Sequence, residues 1–85
     1  MALIDDVKRA LRSNFRGAEI HLKRLSAGRR VGGSLIWDGF KGKPQIDRQT
    51  KLRRVIERAL PPDQQVEVSF ILTLTPDEEA VLAEQ

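Results

Sequence analysis

The stretch "VEVSFILTLTPDEE", Val66 to Glu79, decides the fold because it contains the clearest strand and the clearest helix start in the chain. Apolar residues alternate with other residues over its first nine positions, which is the period of a half-buried β-strand. The alternation predicts that the inward face of this strand consists of Val66, Val68, Phe70, Leu72 and Leu74. The other face is then formed by Glu67, Ser69, Ile71 and Thr73.

The four residues after this strand predict the start of a helix. Thr75 suits the N-cap, Pro76 the first helical position, and Glu78 stands three residues after the cap, where its carboxylate can reach back to the backbone. We therefore expect a short C-terminal helix that contains Val81 and Leu82.

A second helix is predicted upstream of the strand, from roughly residue 45 to residue 60. Pro44 suits its first turn and the pair Pro61-Pro62 ends it. Its spacing predicts a buried stripe formed by Leu52, Val55, Ile56, Ala59 and Leu60.

A strand and a turn are predicted immediately before this helix. A strand is predicted to start at Val31 or Gly33 and to run through Leu35-Ile36-Trp37, which is apolar on both faces, as is typical of a central strand. The stretch Asp38 to Lys43 then forms a turn, in which we expect positive φ at Gly39 and Gly42 and a buried Phe40. Gly39 to Gly42 also spells G-x-x-G, the loop that clamps nucleic acid in KH domains. It follows a strand here instead of joining two helices, which favours a plain turn.

The N-terminal part predicts a helix, a strand and a hairpin connection. Leu3 to Phe15 has helical spacing of apolar residues, and Gly17 suits a left-handed C-cap. Ala18 to Arg24 alternates, with His21 on its outward face. Ser26 to Gly33 is rich in glycine and predicts a flexible connection.

The order αββαβα predicts an α+β fold, a single domain over residues 1–85 with a three-stranded mixed sheet and helices packed on one face. Because a whole helix lies between the second and third strands, those two strands should pair in parallel.

Composition limits the function. The chain of 85 residues is too short for a deep substrate cavity, and it has no cysteine, which excludes disulfides and thiolate ligands. No apolar run is long enough to span a bilayer, so we expect a cytoplasmic protein without membrane contact. The one histidine, His21, has no evident base partner or metal-ligand cluster. These features predict a protein that is not an enzyme and that needs no metal or cofactor.

Charge predicts an anionic partner, DNA or RNA. Residues 1–58 hold fifteen basic and six acidic side chains, and residues 59–85 hold six acidic and no basic ones. The candidate phosphate contacts are Lys41, Lys43, Arg48, Lys51, Arg54 and Arg58, with Arg29 and Arg30 in the hairpin connection. The alternative is a solvated face with ion pairs such as Asp47 to Lys51. Most of the aromatic residues fall on predicted core faces, so no base-stacking platform is expected.

The chain resembles the BolA-like family. The resemblance rests on Asp38, Phe40, Gly42, Arg48, the apolar stripe from Leu52 to Leu60, the strand Val66 to Leu74 and the segment Thr73 to Glu78. It implies a fold related to class II KH domains but without the nucleotide-clamping loop. It also implies two roles for the family, DNA contact in transcriptional regulation and partnership with monothiol glutaredoxins in iron–sulfur or redox homeostasis.

The resemblance also locates a departure from the family. A histidine directly after the arginine helps to ligate the shared cluster in the family, and Gln49 stands there in this chain. A second cysteine or histidine ligand is expected between the first two strands, and Ser26 to Gly33 contains neither. Because amides are poor iron ligands, two hypotheses follow. The domain binds nucleic acid, or it is an adaptor that docks a glutaredoxin-like partner through Arg48 and Gln49 without ligating the cluster.

Overall fold

The computed structural model describes residues 3–25 and 30–83. Its elements are α1 (Leu3–Asn14), β1 (Glu19–Arg24), β2 (Val31–Ile36), α2 (Gln45–Ala59), α3 (Pro62–Gln65), β3 (Val68–Leu74) and α4 (Pro76–Ala83), with a 3-10 turn at Asp38–Phe40 between β2 and α2. The predicted order is confirmed, and the single turn α3 is an addition to it. Among the described residues, no helix combines the length and the apolar character needed to cross a bilayer.

The three strands form one mixed sheet in the order β1-β2-β3. β1 pairs with β2 in antiparallel orientation, and β2 pairs with β3 in parallel orientation. The predictions of a central β2 and of a parallel β2–β3 pair are therefore confirmed. The predicted connection from Ser26 to Gly33 is only partly open to comparison, because residues 26–29 lie outside the described residues and Gly32 and Gly33 belong to β2.

The core lies between the sheet and helices α1 and α2. It is formed by Val7, Leu11, Phe15, Leu35, Phe40, Leu52, Val55, Ile56, Leu60 and Ile71. The predicted stripe on α2 is confirmed except for Ala59, which is exposed. Ala59 is the last helical residue, and Leu60, in an extended conformation, carries the next apolar side chain into the core.

The turn between β2 and α2 uses its two glycines differently. Gly42 has a φ of 79°, as predicted, whereas Gly39 does not have a positive φ. A Cβ atom at Gly39 would lie 2.5 Å from the indole ring of Trp37, so this position requires glycine for close packing. Phe40 is fully buried, as predicted.

The predicted inward face of β3 is wrong. Ile71 is 1% exposed and Thr73 is also buried, whereas Phe70 is 65% exposed and Leu72 and Val66 are exposed. Val66 lies before β3, at the C-cap of α3. Within β3 the register explains the error, because Val31 pairs with Val68 and Gly33 pairs with Ile71. An advance of two residues along β2, from Val31 to Gly33, therefore matches an advance of three residues along β3, from Val68 to Ile71. This bulge reverses the alternation after Val68, which still packs against the core.

Candidate functional site

Arg48, on the second turn of α2, is buried between the turn, β3 and α4. Its side chain is 6% exposed. Nε donates to the carbonyl oxygen of Lys43 at 2.8 Å, and one terminal nitrogen donates to that of Thr73 at 3.1 Å. Both terminal nitrogens contact the carboxylate of Glu78, at 2.6 and 3.2 Å. The guanidinium therefore joins three elements and is not presented to solvent, which corrects its prediction as a surface phosphate contact.

Glu78 completes this junction from α4. Its Oε1 accepts a hydrogen bond from the backbone N–H of Thr75 at 2.9 Å, and its own N–H donates to Thr75 Oγ1 at 3.2 Å. The predicted capping box is thus confirmed. The hydrogen bond from Arg48, followed by that from the Thr75 N–H, lowers the pKa of Glu78 to about 2. Glu78 is ionised at neutral pH and serves the cap and the arginine together.

Two glutamines on α2 cover the outer edge of β3. Gln45 Nε2 donates to the Thr73 carbonyl oxygen at 2.8 Å, and Gln49 Nε2 donates to Ile71 O and to Thr73 Oγ1, each at 3.0 Å. Thr73 Oγ1 donates to Gln45 Oε1 at 2.7 Å. Since β3 is an edge strand, these contacts satisfy carbonyl groups that no neighbouring strand reaches. Gln49 thus contacts β3 at the position where the family resemblance expects a cluster ligand.

The residues present do not fit an iron–sulfur ligand set. The Gln49 amide nitrogen is occupied as a donor, and an amide lacks the basicity of imidazole or thiolate. His21 is exposed on β1, with Nε2 2.8 Å from Glu19 Oε2. In residues 3–25 and 30–83, no three histidine, cysteine or carboxylate side chains gather as a metal site.

Four of the predicted phosphate contacts, Lys43, Arg48, Lys51 and Arg54, line one groove between the turn and α2. The groove has a volume of about 620 Å³. Arg48 is buried at its wall and paired with Glu78, so the basic groups open to solvent are those of Lys43, Lys51 and Arg54. The Lys51 ammonium lies 4.7 Å from the centre of the Trp37 ring, which attracts the cation to the aromatic face. Asp47 also lines the groove, yet no ion pair joins Lys43, Lys51 or Arg54 to a carboxylate in the part of the chain described.

The remaining predicted contacts are spread more widely. Lys41 is exposed in the turn, and Arg58 is exposed on the last turn of α2. Arg30 is exposed next to β2, and Arg29 lies outside the described residues. We call the set Lys41, Lys43, Lys51, Arg54 and Arg58 the helix surface.

Sequence reasoning missed the roles of Gln45, Thr73 and Glu78 around Arg48. The spacing of Gln45, Arg48 and Gln49 on α2, at i, i+3 and i+4, was a usable signal, since it places all three side chains on one side of the helix. The partner residues on β3 and α4 had no comparable local signal.

Comparison with known proteins supports the fold. The sequence matches no protein-family model and no curated protein. The structure is similar to the crystal structure of a bol-like protein from Babesia bovis, with a TM-score of 0.58 and 20% sequence identity. The similarity covers 93% of this chain and 91% of that chain. The α+β architecture with a three-stranded mixed sheet is therefore a BolA-like fold.

Proposed function

We propose that this small domain with a BolA-like fold is a non-enzymatic binding module that contacts the phosphates of DNA or RNA through the helix surface. The observation that supports this function is the groove that Lys43, Lys51 and Arg54 line together. Cations that share a groove and lack carboxylate partners hold a high local positive potential, which attracts a polyanion.

The contacts around each cation define its part in this function. The contact with the Trp37 ring restricts the Lys51 ammonium, which reduces the conformational entropy lost when a phosphate binds. Arg54 and Arg58 are exposed one helical turn apart, so they extend the surface along α2. Arg48 acts indirectly, because its bond to Lys43 O fixes the turn that carries Lys41 and Lys43.

Charge reversal at the groove tests this function. We expect the double variant Lys43→Glu, Arg54→Glu to bind a labelled DNA duplex about tenfold or more weakly than the wild type at about 50 mM salt. A plot of the logarithm of the binding constant against the logarithm of the salt concentration should also become less steep. The change should correspond to the loss of about two phosphate contacts, because each neutralised phosphate releases counterions. Fluorescence anisotropy across a salt series measures both quantities.

A variant with the same change in charge serves as the control. Arg9 and Arg12 are exposed on α1, so Arg9→Glu, Arg12→Glu should weaken binding much less. An equal loss of DNA affinity in the two double variants would show that net charge alone drives binding. Absence of wild-type binding at about 50 mM salt would rule the proposal out.

A second candidate function is supported by a different groove. Between α2 and β3 lies a groove of about 510 Å³ beside Gln49, whose apolar lining includes Leu52, Ile56, Val66 and Phe70. Exposed apolar grooves with a polar rim are typical of protein interfaces. This groove would suit an adaptor that docks a monothiol-glutaredoxin-like partner without ligating its cluster.

Substitution of an exposed groove residue tests the adaptor function. Val66→Asp should weaken binding of a purified monothiol glutaredoxin at least tenfold in calorimetric titration, because it places a charge in the apolar contact. Ile46→Asp is the matched control, since Ile46 is equally exposed but lies outside this groove. Unchanged binding by Val66→Asp would exclude the groove as the docking site.

A further inference from the structure

The face of the sheet opposite α1 and α2 carries an exposed aromatic side chain beside a depression. The depression has a volume of about 490 Å³ and is lined by His21, Leu22, Lys23, Gly33, Ser34, Phe70 and Leu72. Phe70 is the aromatic residue that the bulge in β3 places on this face, and because β3 is an edge strand it also borders the groove between α2 and β3. We call the outward side chains of this set, His21, Lys23, Ser34, Phe70 and Leu72, the sheet platform.

The central strand contributes only a small side chain to the sheet platform, between larger side chains on the two outer strands. Ser34, on the central strand, pairs with His21 on one side and with Leu72 on the other. His21 and Leu72 are thus two strand spacings apart, about 10 Å. Because Ser34 has a small side chain, a planar ring about the size of a nucleobase can lie between the two outer strands.

The charged groups around the sheet platform favour an anion. Lys23 is exposed on the platform, and Arg24 and Arg30 are exposed at the same end of the β1–β2 pair. Glu19 lies at the opposite end of β1 and pairs with His21. Glu67 lies next to Val31 at the Arg30 end of the sheet, so three basic residues stand against one acidic residue at that end. A ligand that is planar and apolar over Phe70 and anionic next to Lys23 therefore matches the surface.

We propose that the sheet platform binds single-stranded nucleic acid by stacking an unpaired base on Phe70, with the adjoining phosphates next to Lys23 and Arg30. Aromatic side chains on an open sheet stack bases of any sequence, because every base has a π-face, and nearby cations hold the backbone. A duplex cannot bind in this way, since its bases are already stacked on one another. The site is separate from the helix surface and does not depend on that surface binding DNA.

A substitution that keeps the apolar side chain but removes the aromatic ring tests the proposal. Phe70→Leu should weaken binding of labelled oligouridine or oligothymidine of about eight nucleotides by about five- to tenfold, and Phe70→Trp should preserve or strengthen it. Binding of a duplex should be the same in Phe70→Leu as in the wild type. Because Phe70 is exposed, both variants should keep the wild-type circular dichroism spectrum.

Other measurements separate the sheet platform from the helix surface. In NMR titrations with the same oligonucleotide, the Phe70 ring protons and the Leu72 methyl groups should shift upfield. The variant Lys43→Glu, Arg54→Glu should still show these shifts. Equal affinity of wild type and Phe70→Leu for the single strand would overturn the proposal, as would shifts confined to α2.

Discussion

Replacing Ile71 with alanine is expected to lower the free energy of unfolding by about 3 kcal/mol, whereas replacing Phe70 with alanine should lower it by less than about 1 kcal/mol. Ile71 is fully buried in the core against α1 and α2, so its truncation removes apolar contacts and leaves a cavity. Phe70 is largely exposed, and its truncation removes little buried surface. The larger side chain thus has the smaller effect.

Urea denaturation of the two variants measures this difference directly. Both should keep the wild-type dependence of unfolding free energy on urea concentration, so that the shift in midpoint reports stability. Thr73→Val is a useful companion, because it preserves volume at the next buried position while removing the hydroxyl that joins Gln45 and Gln49. A greater loss of stability in Phe70→Ala than in Ile71→Ala would contradict the register shift in β3.

The error in β3 shows where sequence periodicity fails. Val66, Val68, Phe70 and Leu72 recur at every second position, so the pattern indicates one apolar face even though Ile71 adds an apolar residue to the other. A bulge adds one residue between Val68 and Ile71 and moves every later side chain to the opposite face. The signal lay on the partner strand, where Gly32 and Gly33 mark a site of irregular pairing.

Features that depend on neighbouring residues could be predicted well. The capping box at Thr75 and Glu78, the buried stripe on α2 and the turn at Gly42 each follow from residues a few positions apart. The candidate site depends on longer separations. Arg48 pairs with the carboxylate of Glu78, which lies thirty residues further along the chain. Sequence alone cannot distinguish such a buried arginine from the exposed basic residues of the same helix.

Arg48→Gln is expected to lower the free energy of unfolding by about 2 to 3 kcal/mol at neutral pH. The substitution removes four hydrogen bonds and leaves the Lys43 and Thr73 carbonyl oxygens with fewer donors. Glu78 keeps its bonds within the capping box, and its side chain is 44% exposed, so solvent compensates part of the lost charge pair.

The effect of Arg48→Gln should depend on pH. In the wild type the folded-state pKa of Glu78 is lowered to about 2 from an ordinary value of 4.5, so the unfolded chain binds the proton first as the pH falls. The stability contributed by the ionised Glu78 is therefore complete above pH 4.5 and is lost progressively as the pH falls towards 2. In Arg48→Gln the pKa of Glu78 should rise towards its ordinary value, which flattens this dependence.

Urea denaturation at a series of pH values between about 2.5 and 7 tests both statements. The difference in stability between wild type and Arg48→Gln should be largest above pH 4.5 and should narrow below it. Glu78→Gln is the matched control, because its amide oxygen can still accept from the Thr75 N–H while the charge is absent. Its profile should also be flatter than that of the wild type. If the free energy of unfolding depends on pH in the same way in all three proteins, Arg48 stabilises the fold without acting through the charge of Glu78. If the three free energies converge at low pH, the ion pair between Arg48 and Glu78 is the link between α2 and α4.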